Sequence, residues 1–565
     1  MLVLGIYHSH DSCAALFDDY RLVAAIAQER PTRIKGDGGR FPAEAVAECL
    51  AEAGVGPEKI DVVALPRVDY PRAFYKSRAF WPFPSLRKGD SLELIRVMSR
   101  QRIGDPLAAL DAPAWLAQFG LGHAKPFFYN HHFAHALGTL FHTDWDEALL
   151  YTSDGGGDRV YYSLRQLKGG RLEDVFGGEA ESRALRRPQS KEDSLGNMYL
   201  NVTRALGFRP LRHEGKVLGL AAFGQPVFAE RLKRFYRVGE DGQIKGLAPL
   251  KQIAAEIDAI AKEGKREDVA ASAQQTLEDL TLASLERIVA RRPSKHLGVS
   301  GGVFANVKLT QRVAARFPFE EVFVCPAMSD QGEAEGGALQ FLFERDGAST
   351  WLARRARFGN LYYGRDYMAG ADAVFEAAGM RTLARENVAA FAARLVHEGK
   401  IVGTYLGRGE YGPRALGARS IMAAPTDRAI NDWLNKRLDR TEFMPFAPVV
   451  LAERAADVFE LPASLHYTAR YMTATCDVKP EWRARIAAVT HVDGTARPQL
   501  IARADNPTYY DVIAGYEKLS GIPLTINTSF NVHEEPIINR PEEALKALAQ
   551  ERVDYVLTDG ALWGR

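Results

Sequence analysis

The chain has 565 residues, more than one hydrophobic core usually organises, so two or three domains are expected. Lysine and arginine (72) nearly balance aspartate and glutamate (71), which excludes the broad positive charge of a general nucleic-acid-binding protein. The four cysteines form no Cys-x-x-Cys pair, which argues against a disulfide framework or zinc knuckle and favours a reducing, cytoplasmic environment.

A buried strand is predicted at 2–6, and residues 1–8 lack the charged start of a signal peptide. No apolar run in the sequence reaches membrane-spanning length. A second strand at 21–28 is expected to pair with the first. The polar turn after the first strand carries His10, where ATPases of the actin type place phosphate. Because a free histidine titrates near neutral pH, His10 is a candidate to accept a proton from a hydroxyl; the alternative is an ordinary turn histidine.

Residues 42–53 show helical spacing closed by glycines, and 61–65 form another strand, which indicates β-α organisation. Between 66 and 120 this pattern breaks, and within it residues 70–84 interleave aromatic and basic side chains. Proteins that bind single-stranded nucleic acid use such a mixture, but the balanced net charge disfavours that interpretation. We expect a lid or acceptor-binding insertion or, equally, a packed structural loop.

His131 and His135 lie one turn apart if residues 131–140 are helical, a spacing with which two imidazoles can bind one metal ion. Asp154 follows an apolar strand and leads into a glycine turn, and Asp330 has a similar position later in the chain. Two imidazoles and two carboxylates suit a divalent metal such as iron, which is favoured, or zinc. The alternative, more frequent for an isolated His-x-x-x-His pair, is two buried packing histidines.

The middle of the chain repeats the pattern of strand, glycine turn and helix. Lys216 lies near the start of a predicted helix, where it either meets phosphate or is solvated. A strand from His296 runs into Gly301 and Gly302, with Asn306 close behind, and such a turn lets the backbone approach a nucleotide. Any tight strand-helix turn also needs glycine, so this signal alone is weak. Two such halves, each with an acidic residue after a strand, describe an α/β fold with a duplicated actin-like (ASKHA) arrangement and nucleotide in its cleft.

From about 347 to 367 the composition is arginine-rich and irregular, which predicts a linker. A glycine-rich stretch further on contains Arg408, Arg414 and Arg419. Arginines beside glycines are suited to bind phosphate or carboxylate oxygens, whereas the alternative is a solvated charged loop.

Several short sequence motifs, taken in their order along the chain, indicate a resemblance to a known family. The two most specific are Gly-Pro-Arg-Ala-Leu-Gly at 412–417 and Asn-Thr-Ser-Phe-Asn at 527–531. The others are Ser-His-Asp at 9–11, His-His-Phe-Ala-His-Ala at 131–136, Ser-Asp-Gly at 153–155, Lys-Val-Leu-Gly-Leu-Ala at 216–221, Ser-Gly-Gly-Val at 300–303, Pro-Phe-Ala-Pro at 445–448 and His-Val-Asp-Gly-Thr-Ala-Arg at 491–497. Over essentially its full length the chain resembles the nodulation-type O-carbamoyltransferases, which carbamoylate hydroxyls of antibiotics and signalling sugars.

The resemblance implies two domains and a two-step enzyme of natural product biosynthesis. Residues 351–565 are similar to the α/β YrdC-like domain, which forms carbamoyl-adenylate from carbamoyl phosphate and ATP, with Mg²⁺. Residues 1–350, with an insertion at about 66–120, are similar to the actin-like universal tRNA threonylcarbamoylation protein. That domain passes the carbamoyl group to a hydroxyl at a metal.

The resemblance also implies roles for individual residues. His10 would be the base or positioning residue for the acceptor hydroxyl. The metal ligands would be His131, His135, Asp154 and Asp330. The residues that line the nucleotide in the actin-like domain would be Gly301, Gly302 and Asn306, and Lys216 is a further candidate for cofactor binding. The residues of the first-step site would be Arg414, Arg419, Arg440, Arg497 and Asn527.

The chain departs from the family pattern at three positions. Leu438 and Met444 stand where a lysine and an arginine are expected to hold carbamoyl phosphate, and Glu534 stands where glycine is usual. Lys436 or Arg437 would have to substitute from a shifted position. Two alternatives therefore accompany the main hypothesis: transfer of another acyl group through its adenylate, and a catalytically silent nucleotide-binding scaffold.

The expected partners are a small-molecule hydroxyl acceptor and a carbamoyl donor, without nucleic acid or membrane. A sugar, a nucleoside or a peptide would fit the acceptor signal equally well. The sequence leaves the metal identity open, and also the oligomeric state, for which a homodimer is one option.

Overall fold

A computed structural model describes residues 1–75, 107, 110–184, 188–439 and 445–565. Its first sheet has the strand order β3-β2-β1-β4-β5. The strands are β1 (Leu2–Tyr7), β2 (Cys13–Asp18), β3 (Arg21–Ala27), β4 (Val62–Leu65) and β5 (Lys125–Phe128). β1, β2 and β3 form an antiparallel meander, while β4 and β5 run parallel to β1. The prediction that the first and third of these strands pair directly was wrong, because β2 lies between them.

A second sheet repeats this order. Its strands are β6 (Ala148–Gly157), β7 (Val160–Lys168), β8 (Arg171–Phe176), β11 (His296–Ser300) and β12 (Glu321–Val324), and between them in the chain β9 (Tyr236–Val238) and β10 (Ile244–Gly246) form a separate hairpin. β6, β7 and β8 are antiparallel, and β11 and β12 run parallel to β6. The order β8-β7-β6-β11-β12 therefore matches β3-β2-β1-β4-β5 strand for strand. This repetition confirms the predicted duplicated actin-like fold.

Helices pack around these two sheets. In the described residues up to 352 they are α1 (Glu29–Thr32), α2 (Ala43–Ala53), α3 (Ala112–Ala117), α4 (His131–Phe141), α5 (Glu179–Arg183), α6 (Leu195–Ala205), α7 (Glu214–Ala221), α8 (Ala229–Lys233), α9 (Leu250–Glu263), α10 (Arg266–Arg291), α11 (Val307–Arg316) and α12 (Glu333–Leu352). Over this part of the chain, no described helix is both long and apolar enough to cross a membrane.

Two glycines allow α12 to approach its neighbours closely. A Cβ at Gly336 would lie 2.2 Å from the carbonyl oxygen of Ala134 in α4, and one at Gly5 would lie 1.7 Å from that of Ala334. Any side chain at either position would push the backbones apart. The start of α12 is thereby held against the start of α4 and the end of β1, where the candidate site lies.

The C-terminal part is built on a mixed sheet with its own core. The strand order is β13-β23-β22-β14-β15-β21-β16-β20. The strands are β13 (Arg381–Ala384), β14 (Val402–Tyr405), β15 (Ser420–Ala423), β16 (Ala447–Leu451), β20 (Gln499–Ile501), β21 (Leu524–Ser529), β22 (Tyr555–Thr558) and β23 (Leu562–Gly564); β17 (Phe459–Glu460), β18 (Cys476–Val478) and β19 (Thr495–Ala496) form a smaller sheet. The helices are α13 (Ala371–Ala377), α14 (Val388–His397), α15 (Ala429–Arg437), α16 (Ala455–Val458), α17 (His466–Ala469), α18 (Pro480–Arg483), α19 (Pro507–Ser520) and α20 (Pro541–Ala549). The likeness of this C-terminal part to the YrdC-like domain stays a prediction.

The two parts of the chain make specific polar contacts. The Arg33 guanidinium donates to the carbonyl oxygens of Pro536 (2.8 Å) and Ile537 (2.6 Å). The Tyr467 hydroxyl donates to the carbonyl oxygen of His142 at 3.0 Å. In the predicted linker, α12 continues to Leu352 with a break at Gly347 (φ 77°). The domain boundary at residue 350 stays a prediction.

Candidate active site

Helix α4 positions the two histidines. The Asn130 side chain caps its first turn by accepting a hydrogen bond from the Phe133 N–H at 2.9 Å. His131 and His135 then lie one turn apart with ring centroids 4.8 Å from each other. Both are buried, at 7% and 3% exposure. The helix predicted over 131–140 is confirmed, and the histidines share the predicted face.

Asp154 lies inside a strand rather than at its end, since β6 continues to Gly157. The pairing of β6 with β7 is interrupted between Ser153 and Gly157, which frees the Asp154 backbone from the ladder. The N–H of Gly302 donates to its carboxylate at 3.0 Å, and the N–H of Gly155 donates at 2.5 Å. The glycine turn after β11 therefore holds this carboxylate in place.

Asp330 begins a short 3₁₀ turn just before α12. Its Oδ2 accepts a hydrogen bond from the Tyr7 hydroxyl at 2.5 Å, and the His10 Nε2 lies 3.3 Å from the same oxygen. Tyr7 ends β1 and His10 follows it, so the first strand supplies both neighbours. The other oxygen, Oδ1, faces His131 and His135 at 3.8 and 3.6 Å.

These four side chains form one buried cluster, in which the candidate ligand atoms all lie within 4.8 Å of one another. The histidine Nε2 atoms lie 3.3 to 4.0 Å from the carboxylate oxygens of Asp154 and Asp330. Two ligand atoms that bind one tetrahedral ion at about 2.1 Å are about 3.4 Å apart. Both Nε2 atoms are buried and lack a hydrogen-bond partner. Such orphaned nitrogens beside carboxylates fit a divalent metal with mixed nitrogen and oxygen ligands.

Sequence reasoning missed a third acid, Glu333, which is fully buried at the start of α12. Its oxygens lie 3.3 Å from the His131 Nδ1 and 3.4 Å from the His135 Nε2, and neither oxygen has a hydrogen-bond partner. The available signal was its spacing, three residues after Asp330, which places both on one side of a helical turn.

The acidic groups and the histidines of this cluster shift one another's pKa values. Burial alone would lower the pKa of His135, yet Glu333, Asp154 and Asp330 together raise it to about 9. The pKa of His131 is also raised, since the same carboxylates outweigh its burial. Burial likewise opposes ionisation of Asp154, but the facing histidines lower its pKa. Burial raises the pKa of Glu333, whereas the pKa values of Asp154 and Asp330 are lowered. The two aspartates therefore require a cation here, either protonated imidazoles or a metal that displaces those protons.

A small cavity opens beside the cluster. It has a volume of about 350 Å³, and His10 and His131 are among the residues that line it. The His10 side chain is 43% exposed, so its ring is accessible from this side. The structure therefore places His10, the predicted base or positioning residue for the acceptor hydroxyl, next to the cluster, with space for a ligand.

A larger cavity of about 590 Å³ lies where the two parts of the chain meet. From the N-terminal part it is lined by Lys216 and Lys308, and from the C-terminal part by Arg414, Arg497 and Asn527. Four predicted nucleotide and first-step residues thus share one space. The Arg414 Nε is buried without a hydrogen-bond partner, and burial lowers the pKa of this guanidinium. A cation that lacks a carboxylate partner among the described residues is suited to bind an anionic ligand.

Other predicted residues do not line this cavity. The Gly302 N–H is engaged with Asp154, and Gly301 packs against the Ser153 backbone. Asn306 caps α11 by accepting from the Leu309 N–H at 3.0 Å. The Arg419 guanidinium is 1% exposed, stacks on Tyr405 at 3.8 Å and donates to backbone carbonyls. The placement of Arg419 thus indicates a structural contact rather than a ligand contact.

Of the two positions where a cation was expected to hold carbamoyl phosphate, the structure describes Leu438. The Leu438 side chain is 1% exposed and lies in the hydrophobic core, not in the larger cavity. Arg437 pairs with Asp554 at 2.8 Å, and Lys436 is exposed, so neither replaces the missing cation there. Arg440 and Met444 lie outside the described residues, as does most of the insertion predicted at 66–120.

Two family models match the sequence. One, described as carbamoyltransferase N-terminus, matches residues 2–339, and the other, described as carbamoyltransferase C-terminus, matches residues 393–565. Together they span most of the chain. A solved activator of 2-hydroxyisocaproyl-CoA dehydratase from Clostridium difficile covers 63% of this chain and 99% of its own at 14% identity, with a TM-score of 0.33, too low to add to the strand-order argument.

Three curated nodulation proteins match three quarters or more of this chain. Nodulation protein NolNO of Sinorhizobium fredii is 33% identical over 572 residues, covering 98% of this chain and 78% of its own. Nodulation protein NolO of Bradyrhizobium diazoefficiens is 32% identical over 440 residues, covering 75% and 77%. Nodulation protein U of Rhizobium tropici is 27% identical over 602 residues, covering 100% and 96%.

Proposed function

Because the chain belongs to the carbamoyltransferase family, we propose that it is an ATP-dependent O-carbamoyltransferase that works in two steps. The first step consumes carbamoyl phosphate, ATP and water and releases phosphate and pyrophosphate, which leaves carbamoyl-adenylate. In the second step the oxygen of an acceptor hydroxyl bonds to the carbamoyl carbon. The bond from that carbon to the AMP phosphate oxygen breaks, the hydroxyl proton is taken up by a base, and AMP leaves.

We assign the first step to the larger cavity. Lys216, Arg414 and Arg497 line it with positive charge, which suits the phosphates of ATP and carbamoyl phosphate. Mg²⁺ would accompany the ATP triphosphate. Asn527 adds an amide whose nitrogen donates to the Gln499 side chain at 2.6 Å and whose oxygen has no hydrogen-bond partner. That oxygen is available to a donor group such as the carbamoyl amide.

We assign the second step to the buried cluster, and the orphaned Nε2 atoms of His131 and His135 are the observation that carries this proposal. A divalent metal held by His131, His135, Asp154 and Asp330 would act as a Lewis acid toward an oxygen of the carbamoyl-adenylate. His10 faces the small cavity and would accept the proton of the acceptor hydroxyl.

One ion pair links the two cavities. Arg212 lines the larger cavity, and its guanidinium donates to the Asp11 carboxylate at 2.6 Å. Asp11 follows His10, which lines the small cavity. An adenylate that moves from the first-step site to the cluster would meet this contact on its way, and its phosphate offers Arg212 a replacement for Asp11.

The experiment combines both steps in one assay. Purified protein is incubated with ATP, Mg²⁺, carbamoyl phosphate and candidate hydroxyl acceptors; pyrophosphate and AMP are quantified, and carbamoylated products are identified by mass spectrometry. Pyrophosphate release should fall at least about 10-fold in Arg414→Gln, because a charged contact to phosphate is lost. Arg428→Gln changes an exposed arginine that does not line the cavity and serves as the control. Equal activity of both variants would contradict the assignment.

A second candidate function is transfer of a different acyl group through its adenylate. The burial of Leu438 favours it, since that position supplies no cation to the cavity. Pyrophosphate release that requires another acid or acyl phosphate, and stays absent with carbamoyl phosphate, would support this candidate. Binding of ATP without turnover with any donor would instead indicate a silent scaffold.

A further inference from the structure

His491 lines the larger cavity with one ring nitrogen unpaired. Its side chain is 9% exposed, and its Nε2 atom is buried without a hydrogen-bond partner. Most buried polar atoms have a partner, so an orphaned nitrogen in the wall of a cavity indicates a bound ligand or water that completes it. The proposed first step has so far given this imidazole no role.

Asp493 determines which nitrogen of His491 carries the proton. The His491 Nδ1 lies 3.3 Å from the Asp493 Oδ1. Partial burial opposes ionisation of Asp493, but hydrogen bonds from His491 and Thr495 and the ammonium group of Lys308 lower its pKa, so it is a carboxylate at neutral pH. A carboxylate only accepts, so the neutral imidazole carries its proton on Nδ1 and keeps a lone pair on Nε2.

The backbone and two further side chains hold this pair in place. The His491 N–H donates to the Thr495 carbonyl oxygen at 2.8 Å, and the Gly494 N–H donates to the His491 carbonyl oxygen at 2.9 Å. The Thr495 hydroxyl donates to the Asp493 Oδ1 at 2.6 Å. The Lys308 ammonium, from α11, donates to the Asp493 Oδ2 at 2.9 Å. The carboxylate that orients the imidazole is therefore fixed from both parts of the chain.

Two other imidazoles in the described lining of this cavity, His213 and His533, are placed differently. The His213 Nδ1 accepts from the Arg209 N–H at 3.2 Å, so its Nε2 carries the proton and donates to Glu534 at 3.0 Å. The His533 Nε2 faces the same carboxylate at 3.5 Å. Of these three imidazoles, only that of His491 has a buried nitrogen without a partner. Its lone pair is available to a proton from a bound molecule.

We propose that His491 is the general base of the first step, and that its Nε2 atom accepts a proton from the water molecule that cleaves carbamoyl phosphate. This inference rests on the proposed function, in which the first step consumes water, and adds the residue that activates this water. Water is a poor nucleophile without a base, and a positioned imidazole accelerates such a step about 100- to 10,000-fold.

The bonds and the proton balance as follows. The water oxygen bonds to phosphorus, one water proton passes to the His491 Nε2, and the bond from phosphorus to the carbamoyl oxygen breaks with its electron pair on that oxygen. Phosphate and carbamate result. A carbamate oxygen then bonds to the α-phosphorus of ATP, the bond from that phosphorus to the bridging oxygen breaks, and the departing pyrophosphate takes the proton from His491.

The test measures phosphate and pyrophosphate release by the full-length protein with ATP, Mg²⁺ and carbamoyl phosphate, corrected for decomposition of the donor without protein. His491→Ala should lower kcat for phosphate release at least about 100-fold, with little change in KM for ATP. Added imidazole should restore part of this activity, which it would not do for a merely structural residue. His491→Gln keeps a side chain that can donate to Asp493, and it replaces the alanine variant if that variant does not fold.

Two further variants serve as comparisons. His466→Ala changes an exposed histidine of the C-terminal part that does not line the cavity, and it should behave like the native protein. Asp493 is a positioning residue, because it acts through the imidazole. Asp493→Asn should therefore lower phosphate release about 10-fold or more in the native background and have little further effect in His491→Ala.

Carbamate supplied directly separates water activation from the rest of the first step. With freshly dissolved ammonium carbamate in place of carbamoyl phosphate, no water has to attack, so the folded His491 variant should release pyrophosphate at close to the native rate. Native phosphate release in this variant, or pyrophosphate release that carbamate fails to restore, overturns the inference. Absence of phosphate and pyrophosphate release from the native protein would instead count against the proposed function.

Discussion

At the scale of single residues, Glu333 extends the candidate metal site beyond its four predicted ligands. Its carboxyl oxygens lie within 3.4 Å of both histidines, and burial raises the pKa of this group. Such a carboxylate orients imidazole rings and increases their basicity toward a metal. In Glu333→Gln the carboxyl group is removed at nearly constant volume, so we expect metal affinity to fall about 10- to 100-fold, measured by competition with a chelator.

Glu335→Gln is the matched control for that substitution. Glu335 lies on the same helix and is equally buried, but its carboxylate bonds to His142 outside the cluster. Its replacement should leave metal affinity unchanged. If both variants retain native affinity, Glu333 has no role in holding the metal.

A separate prediction concerns His8 and the stability of the fold at acidic pH. Burial lowers the pKa of its imidazole to about 4, and the Nε2 atom bonds to the Val68 carbonyl oxygen at 2.8 Å. In the unfolded chain this pKa is about 6.5, so between about pH 6.5 and pH 4 the unfolded state binds a proton that the folded state does not. The free energy of unfolding should therefore decrease across this window as pH falls, by on the order of 3 kcal/mol from this residue.

Urea unfolding of the native protein and of His8→Gln, at neutral pH and at about pH 4, measures this contribution. The variant should lose less stability on acidification than the native protein. The same loss in both proteins would show that His8 is not kept neutral by the fold.

At the scale of elements, the cap of α4 connects helix stability to the site. The Asn130 side chain accepts from Phe133 and also donates to Glu179 at 3.0 Å. Asn130→Ala should lower the free energy of unfolding by about 1 kcal/mol and reduce metal occupancy, because His131 is the first residue of the capped helix. Both effects are measurable, by urea unfolding and by elemental analysis.

Asn506→Ala provides the comparison, since Asn506 caps α19 in the same way, by accepting from the Tyr509 N–H at 3.0 Å. It should lower stability by a similar amount without changing metal occupancy. An equal loss of metal in both variants would mean that general destabilisation, not the position of His131, controls occupancy.

The elements of the fold were predictable where hydrophobic periodicity and glycine turns coincide, as at β1, α2 and α4. β2 escaped prediction because its sequence, Cys-Ala-Ala-Leu-Phe-Asp, is buried almost throughout and shows no alternation. A glycine turn was expected directly after Asp154, but the turn between β6 and β7 lies at Asp158 and Arg159, since tertiary contacts offset the strain of two side chains with positive φ. Local sequence propensity does not reveal such tertiary contacts.

The residues of the candidate site also divide into those that local spacing predicts and those that depend on tertiary packing. His131 and His135 were predictable from their spacing, because one helical turn brings them together whatever surrounds the helix. The approach of Glu333 depends on how α12 packs on α4, which no local pattern specifies. Arg419 differs from them: its glycine-rich surroundings predict an anion site, whereas in the structure its guanidinium donates to backbone carbonyls and stacks on the Tyr405 ring.

At the scale of the whole molecule, two separate cavities match the two proposed steps. The larger cavity takes residues from both parts of the chain, whereas the small cavity and the metal cluster belong to the actin-like part. The first step should therefore continue when the cluster is damaged, and only the transfer step should stop.

The most direct measurement determines metal content and both steps in the His131→Ala variant, with His132→Asn as its control. His132 is buried on the same helix, but its ring bonds to Thr152 and Val160 rather than facing the cluster. We expect His131→Ala to lose the metal and carbamoyl transfer while pyrophosphate release persists, and His132→Asn to retain all three if it folds. A folded His131→Ala protein that keeps its metal, or that loses both steps together, would contradict the account.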